Sequence, residues 1–578
     1  MGSLSACTAG YCSVTYQFVD ADGEPTNGCE CPRAEGVVDE PDIFPVYPEE
    51  GFPYVDRDCD GVDGHEGTSL FVWQGASGPE EGTRERPFRS IGAALRAFDR
   101  SRHTAILVAE GVYVEQVVLR NGVSLYGGYA PSFKQRDVAR FPSIIEGVEP
   151  DFGNPSSLPG AVHAAGITEK TVFAGFVVRG YDVTYRPPPG GAGKSTFAVY
   201  IKDSNAQLVI ANNRIVPGRG GDGAPGGRGV AGADGGDGGP GRIARECTTL
   251  LCSGESQPGG TGGTNPVCGA EGHPGAPAIA DNNPQAYTTG GLDGAGGHNG
   301  AYVPDPSRPE RCKAVCQMPL EGMTGEDGLP GPRGQDGVGG RGCAGVVRVK
   351  DGEPVADVAA SGSAGGHGSG GGGGGAGGCV PNMTPSDASC TVLSLVGDLG
   401  GTGGGGGAGG CGGGGGQGGG NGGFSVGVFV VFSAQPTSRP VMRGNRIEIG
   451  MAGYGGAGGT GGQGGQGGAG GAGGLSTTET WCAGEGGRGG PGGAGGSGGG
   501  GGGGCGGSAY GLAGVFLAGS GYEATNLFGQ VPEGAAGAGG AGGVSPAGWS
   551  CGLAPGVCDG EPGARGEALP YKDLGGGL

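Results

Sequence analysis

The sequence predicts an all-β chain: a right-handed parallel β-helix carrying a long inserted bundle of polyglycine II helices, with few α-helices. Three features of the 578 residues lead there. Short apolar runs follow one another between residues 69 and 147, divided by single or paired glycines rather than by helices. A strand–turn–strand unit that carries asparagine recurs three times, far apart in the chain. Between the copies, glycine returns at every third position over long stretches.

Composition bounds what such a chain can be. Gly supplies 152 residues, against about 7% in ordinary proteins. Only 35% of residues are hydrophobic and 16% charged, so one apolar core cannot span the chain. A formal net charge of −21 argues against nucleic acid as a partner, which needs clustered Lys and Arg. The same charge suits a surface that attracts cations. The 18 cysteines form no double Cys-x-x-Cys pattern; Cys312 and Cys316 come nearest, and no paired histidines follow them. They read as disulfides in an oxidising compartment, hence an extracellular or bacterial cell-surface protein, outer-membrane-associated. No run of about 18 apolar residues is present to cross a membrane as a helix. Leu4-Ser5-Ala6-Cys7 matches the tetrapeptide of a lipidation box and makes Cys7 a candidate lipid anchor, although the charged and apolar stretches that accompany such a box are not in the sequence.

In chain order, residues 1–64 form a Cys-rich acidic module (Cys7, Cys12, Cys29, Cys31, Cys59), with 39–53 as a Pro-rich extended linker. Residues 65–217 are the β-helix. It opens with a strand at 70–73 and a helix over 90–99 that places Ile91, Ala94, Leu95 and Phe98 on one face. Strands at 105–108, 117–119, 123–126 and 144–145 follow, with bends at Gly111, Gly122, Gly127 and Gly128. Brief strands without helices between them suit a sheet coiling on itself.

The run Gly82-Thr83…Arg86-Pro87-Phe88…Ile91…Ala94-Leu95, then Gly111-Val112-Tyr113…Val117, then Gly122-Val123-Ser124-Leu125-Tyr126-Gly127-Gly128-Tyr129 resembles the start of pectin-lyase-like β-helix proteins. The Asp-rich segment before it is similar to metal-binding motifs that precede such domains in myxobacterial surface proteins. The resemblance covers roughly residues 20–216. It implies the fold, and leaves activity open, because that superfamily holds both enzymes and non-catalytic proteins.

Two further rungs are expected downstream. Ala198-Val199-Tyr200-Ile201 before Leu208-Val209-Ile210-Ala211-Asn212-Asn213-Arg214-Ile215 is echoed by 428–431 before 441–449 with Asn445, and again by 514–517 before 524–528 with Asn526. The rungs are 424–449 and 508–533. They are separated by glycine-rich insertions at 218–423 and 450–507, with a glycine tract and Cys-containing tail at 534–578.

The insertions keep strict time. Glycine stands at 220, 223, 226, 229, 232, 235, 238 and 241, and again at 322, 325, 328, 331, 334, 337 and 340; from 455 to 474 the pattern tightens to Gly-Gly-X. Flexible linkers mix Gly and Ser without period. A period of three belongs to an extended helix with three residues per turn and ~3.1 Å rise. Collagen fits badly because most triplets lack proline. Polyglycine II helices packed side by side fit better, since every face can offer N–H and C=O to a neighbour.

Nine tracts begin near 219, 258, 290, 322, 361, 399, 450, 484 and 534. Six lie between the first two rungs and two between the next, so the chain can leave the β-helix and come back. Connections after odd-numbered tracts then share one distal end, and they hold Cys247, Cys252, Cys312, Cys316, Cys379, Cys390, Cys482, Cys551 and Cys558. Ordering each residue costs ~1–2 kcal/mol, whereas a backbone hydrogen bond returns only ~0.5–1.5 kcal/mol. Disulfides at the tips, worth ~2–4 kcal/mol each, are expected to hold the bundle together.

Asp56-Arg57-Asp58-Cys59-Asp60-Gly61-Val62-Asp63 carries the chemistry. Carboxylates at positions one, three and five with Gly at six reproduce the first half of an EF-hand-type loop, so Asp56, Asp58, Asp60 and Asp63 are expected to bind Ca²⁺. Gly67 stands where the bidentate Glu belongs, with Asp63 or Glu66 as substitutes. Asp20-Ala21-Asp22-Gly23 is a fainter echo. Gly190 to Thr196 imitates a phosphate loop, but Pro188 replaces its first glycine and a strand follows where a helix must. Gly366-His367-Gly368 and Arg348-Val349-Lys350 match fragments of polygalacturonase-like sites in reversed order and without the acid pair. No catalytic residue is nominated. Trp481 and Trp549 fall in predicted tips, where aromatics can stack on a surface glycan or protein partner. The expectation is a non-catalytic adhesin-like or coat protein displaying stapled loops; the alternative is a polysaccharide lyase or hydrolase on the same scaffold.

Overall fold

The computed structural model describes residues 18–19, 31–32, 39–45, 54–248, 252, 254–279, 292–298, 301–305, 308–315, 320–379, 397–478, 480, 483–547 and 557–575. Short β-rich runs coil into three six-stranded parallel sheets. One sheet stacks Ser69–Val72, Ala105–Ala109, Ser124–Tyr129, Thr171–Ala174, Leu208–Ala211 and Val441–Arg443. The next stacks Gly111–Val114, Ser143–Glu146, Phe176–Arg179, Arg214–Val216, Arg446–Ile447 and Leu527–Phe528. The third stacks Val117–Val118, Val162–Ala165, Thr196–Lys202, Ser425–Val431, Ala509–Gly514 and Ala568–Asp573. The chain visits the three in turn, which makes a parallel β-helix. The last of these strands lies in the tail and was not anticipated, because Ala-Leu-Pro-Tyr-Lys-Asp has no apolar alternation.

Inside the coil, Ile106, Leu125, Ile145, Val199, Val428 and Leu512 join one core, with Phe173 and Phe176 stacked at 4.5 Å. The helix Ile91–Ala97 packs Ile91, Ala94 and Leu95 into that core. Ser90 Oγ caps it by accepting from Ala93 N at 3.2 Å, and Glu115 accepts from the amides of Ile91 and Gly92. It is shorter than the 90–99 expected from periodicity because Phe98 turns to an extended backbone to enter the core.

The repeated asparagines form a buried ladder at one corner. Asn213 Nδ2 donates to Phe173 O and to Asn445 Oδ1, and Asn445 Nδ2 donates to Ile210 O and to Asn526 Oδ1. Each amide thus satisfies backbone groups that the bend would leave unpaired.

All three glycine insertions open at another corner: the chain leaves after Val216, Ile447 and Phe528 and returns at Ser425, Ala509 and Ala568. The sheet's pairing of Arg214–Val216 with Arg446–Ile447 is interrupted at Pro217, which has no N–H, and resumes in the bundle between the same two stretches of chain. Glu448 N donates to Ile215 O at 2.8 Å, then Gly220 N to Met451 O at 2.9 Å, then Gly223 N to Tyr454 O at 2.8 Å.

The rod 399–424 shows three residues per turn directly. The amide of Gly404 donates to Gly487 O, that of Gly405 to Gly239 O, and that of Gly406 to His273 O, three different neighbours for three successive residues. Each line then repeats three residues on, as in Gly407 to Gly490 and Ala408 to Gly236. This is the polyglycine II arrangement. Rods 219–244 and 451–475 run outward and 399–424 and 483–507 run back, as the tract count expects.

Glycine content tracks depth. In the central rod every residue from 400 to 411 is buried. A Cβ on Gly405 would lie 2.0 Å from Thr261 O, and one on Gly407 2.0 Å from Gly468 O. In 451–475 the X residues Tyr454, Ala457, Thr460, Gln463, Gln466, Ala469, Ala472 and Leu475 are all exposed. Aspartates stand in where a neighbouring rod is missing: Asp222, Asp234 and Asp237 accept from the amides of Tyr454, Gln466 and Ala469, and Asp327 and Asp336 from those of Arg488 and Ser497.

Two expectations are corrected. The second tract does not run back as one rod: it turns at Cys268, and 270–276 pairs antiparallel to 258–264 through Gly272 to Gly263 and Gly275 to Gly260. Nor are the disulfides confined to the tips. Cys247–Cys252 is in a tip connection, but Cys268–Cys411 and Cys343–Cys505 bolt rods together along their length. A side chain can enter a glycine lattice only where its volume is shared with a neighbour, and a disulfide does that.

Candidate metal loop and the free end of the bundle

The acidic loop packs against the outer face of the first sheet, where Val62 joins a cluster with Phe71, Leu107, Tyr129 and Phe133. Left-handed backbone at Cys59, Gly61 and Gly64 (φ +63°, +85° and +112°) folds it tightly. At Gly64 a Cβ would strike the Pro41 ring at 2.9 Å.

The carboxylates divide into two groups. Asp56 accepts the amides of Cys59 and Gly61 at 2.6 and 2.8 Å. Asp60 accepts those of Val62 and Glu66 at 3.0 and 2.6 Å. Ligand atoms of Asp58, Asp60 and His65 lie within 4.8 Å of one another, with His65 Nδ1 at 3.4 Å from Asp58 and 3.3 Å from Asp60. Asp58 Oδ1 is buried and without a hydrogen-bond partner. Burial raises the carboxyls of Asp56 and Asp58 above the usual range, and each is raised further by a neighbouring aspartate. An orphaned carboxylate oxygen beside a second acid is the environment a hard divalent cation relieves.

Asp63 goes elsewhere. Expected as a fourth ligand, it is fully buried in an ion pair with Arg136 at 2.6 Å and accepts the Asp42 amide at 2.9 Å. Arg136 also donates to the carbonyls of Asp42 and Gly127 and lies over the rings of Tyr126 and Tyr129. Asp63 therefore fastens the loop to the β-helix and is not part of the convergent set. Arg57 ties the loop to the preceding segment through Asp39 and Asp42, both at 2.9 Å.

His65 was legible as a member of the same acidic loop, five residues past Asp60. Arg136 carried no local signal, lying 73 residues from its partner. Cys7, the Asp20–Gly23 echo, Trp481 and Trp549 lie outside the described residues. His367 sits within a rod, and its Nδ1 accepts the Gly412 amide at 2.9 Å; Arg348 pairs with Asp357. Both have structural partners. Among the described residues no helix is long and apolar enough to cross a membrane.

The far end of the bundle is built by length alone. A rod of about 23 residues extends about 70 Å at ~3.1 Å per residue. Outgoing rods hand over to returning ones at that end through connections that include 245–257 and 476–483, whereas the short rod 535–545 turns back partway along, so Cys558, expected at a tip, instead accepts the Gly500 amide midway along rod 483–507. No family model, curated protein or solved structure matches this chain.

Proposed function

We propose that the chain is a non-catalytic extracellular or cell-surface binding protein in which the β-helix is the base and the polyglycine bundle a stiff arm presenting cysteine-containing loops. The observation that carries this reading is the common corner from which all three insertions leave and to which they return. Insertions at unrelated corners would decorate the coil, whereas insertions at one corner, in register with the sheet, add up to a single arm. The distal connections are where sequence departs from glycine triplets, as a recognition surface requires. Ca²⁺ held by Asp58 and Asp60, with Asp56 beside them, would stiffen the loop that abuts the first sheet. The partner class is a surface glycan or protein.

Replacing 476–482 with a glycine–serine linker tests the reading. Retained amide protection in the rods together with lost adhesion to glycan-coated or cell surfaces is the expected outcome. Turnover of acidic polysaccharide by the unmodified chain, lost on changing an aspartate of the coil, would overturn it in favour of the enzyme reading.

A further inference from the structure

Rod 535–545 lies in a groove between rods 451–475 and 483–507, and it fills only the basal half. Along that half its pairing is regular. Gly537, Gly540 and Gly543 donate to Gly507 O, Gly504 O and Gly501 O, while Ala538, Ala541 and Val544 accept from the amides of Gly455, Gly458 and Gly461. The short rod then stops: Ser545 Oγ turns to donate to Gly498 O at 2.8 Å, and Asp559 accepts the Ser545 amide at 2.7 Å.

The two floor rods continue outward. Their next groups on the same lines are the amides of Gly464, Gly467, Gly470 and Gly473 on one side and the carbonyls of Gly495, Gly492, Gly489 and Gly486 on the other. Among the described residues none of these eight groups has a hydrogen-bond partner. Gly486, Gly489 and Gly492 are half-exposed, whereas Gly495, next to the end of the short rod, is buried like Gly498, Gly501 and Gly504.

We infer that this vacant half-groove is a binding site for a further glycine-triplet strand, supplied in trans and held in the three-residue helix. The period decides the class of partner. Donors and acceptors recur every third residue, about 9.3 Å apart at ~3.1 Å rise. An extended β-strand offers outward groups every second residue, about 6.6–6.8 Å apart, and slips out of register after one bond. Only a strand with the groove's own repeat can meet all four donors and all four acceptors. Glycine at the buried positions is also required, as it is for rod 535–545, where a Cβ on Gly540 would fall 1.9 Å from Gly456 O. The site is continuous with an occupied one, and its occupant is defined by that template.

The test uses the full chain under oxidising conditions and a capped twelve-residue peptide copying residues 455–466. The control is the same composition shuffled to destroy the period. Residue-resolved amide exchange is expected to slow by about tenfold or more at Gly464, Gly467, Gly470 and Gly473 with the periodic peptide only, leaving Gly465 and Gly468 unchanged. Equal effects of both peptides, or no effect of either, would overturn the inference. So would amides at Gly464 to Gly473 that are already as slow as Gly458 and Gly461 without peptide, because the groove would then be filled by the chain itself.

Discussion

Asn213 donates from its side-chain amide to Oδ1 of Asn445 at 3.1 Å across 232 residues of intervening chain. Both are buried, and Asn445 passes the contact on to Asn526. The bond joins the rung before the large glycine insertion to the rung after it, so the β-helix closes over the insertion as if it were a turn.

Replacing Asn445 with Ala therefore removes partners from both neighbours at once. Unsatisfied buried polar groups cost about 1–3 kcal/mol each, and two rungs share the loss. Asn445→Ala is expected to lower stability by about 3 kcal/mol or more, measured by denaturant unfolding. An unchanged midpoint would show that the ladder is incidental.

Depth in the bundle predicts tolerance. Gly405→Ala places a methyl against Thr261 O and is expected to cost at least about 3 kcal/mol, the upper end of overpacking penalties. Thr460→Ala, at an exposed X position, is expected to stay within about 0.5 kcal/mol. Thermal unfolding of both variants checks the contrast, and equal effects would contradict the packing order.

Cys268–Cys411 joins a turn inside the bundle to the central rod, closing a separation of 143 residues. Substituting both by Ser is expected to cost about 2–4 kcal/mol, with faster amide exchange around Gly263 and Gly272 and little change in the β-helix sheets. Loss of protection spread evenly over the whole chain would show that bundle and coil unfold as one.

The acidic loop predicts a cation response. Added Ca²⁺ at about a hundredfold its dissociation constant is expected to stabilise the chain by about 2.7 kcal/mol, reversed by a chelator and abolished in Asp58→Asn with Asp60→Asn. Asp63→Asn is expected to destabilise with or without Ca²⁺, by about 3–5 kcal/mol, because it strands Arg136. Equal Ca²⁺ stabilisation of the Asp58/Asp60 variant would remove the assignment.

Much of this architecture was legible because it rests on periodicity. Strands such as Ala105–Ala109 and Thr196–Lys202 are apolar runs bounded by turns, and the rods follow from glycine triplets too poor in proline for collagen. The Asn positions foretold the rungs. What escaped was set by contacts remote in sequence. Cys268 was read as part of one tract although Asn265-Pro266 beside it marks a turn; what its neighbours do not show is the distant partner, Cys411, that holds the turn inside the bundle. Asp63 looked like its loop-mates, because the residue that claims it, Arg136, belongs to another coil. The strand Ala568–Asp573 borrows its pairing from Ala509–Gly514 and has no pattern of its own. Local repetition is readable, and partner choice across the fold is not.

Everything above depends on the glycine tracts being hydrogen-bonded rods. Residue-resolved amide exchange over 399–424 in the oxidised chain tests it most directly. Strong protection is expected at all three phases of the triplet from Gly404 to Gly410, since these amides lie in the buried central rod and each phase donates to a different neighbouring rod. Exchange there at the rate of an unstructured glycine peptide would contradict it.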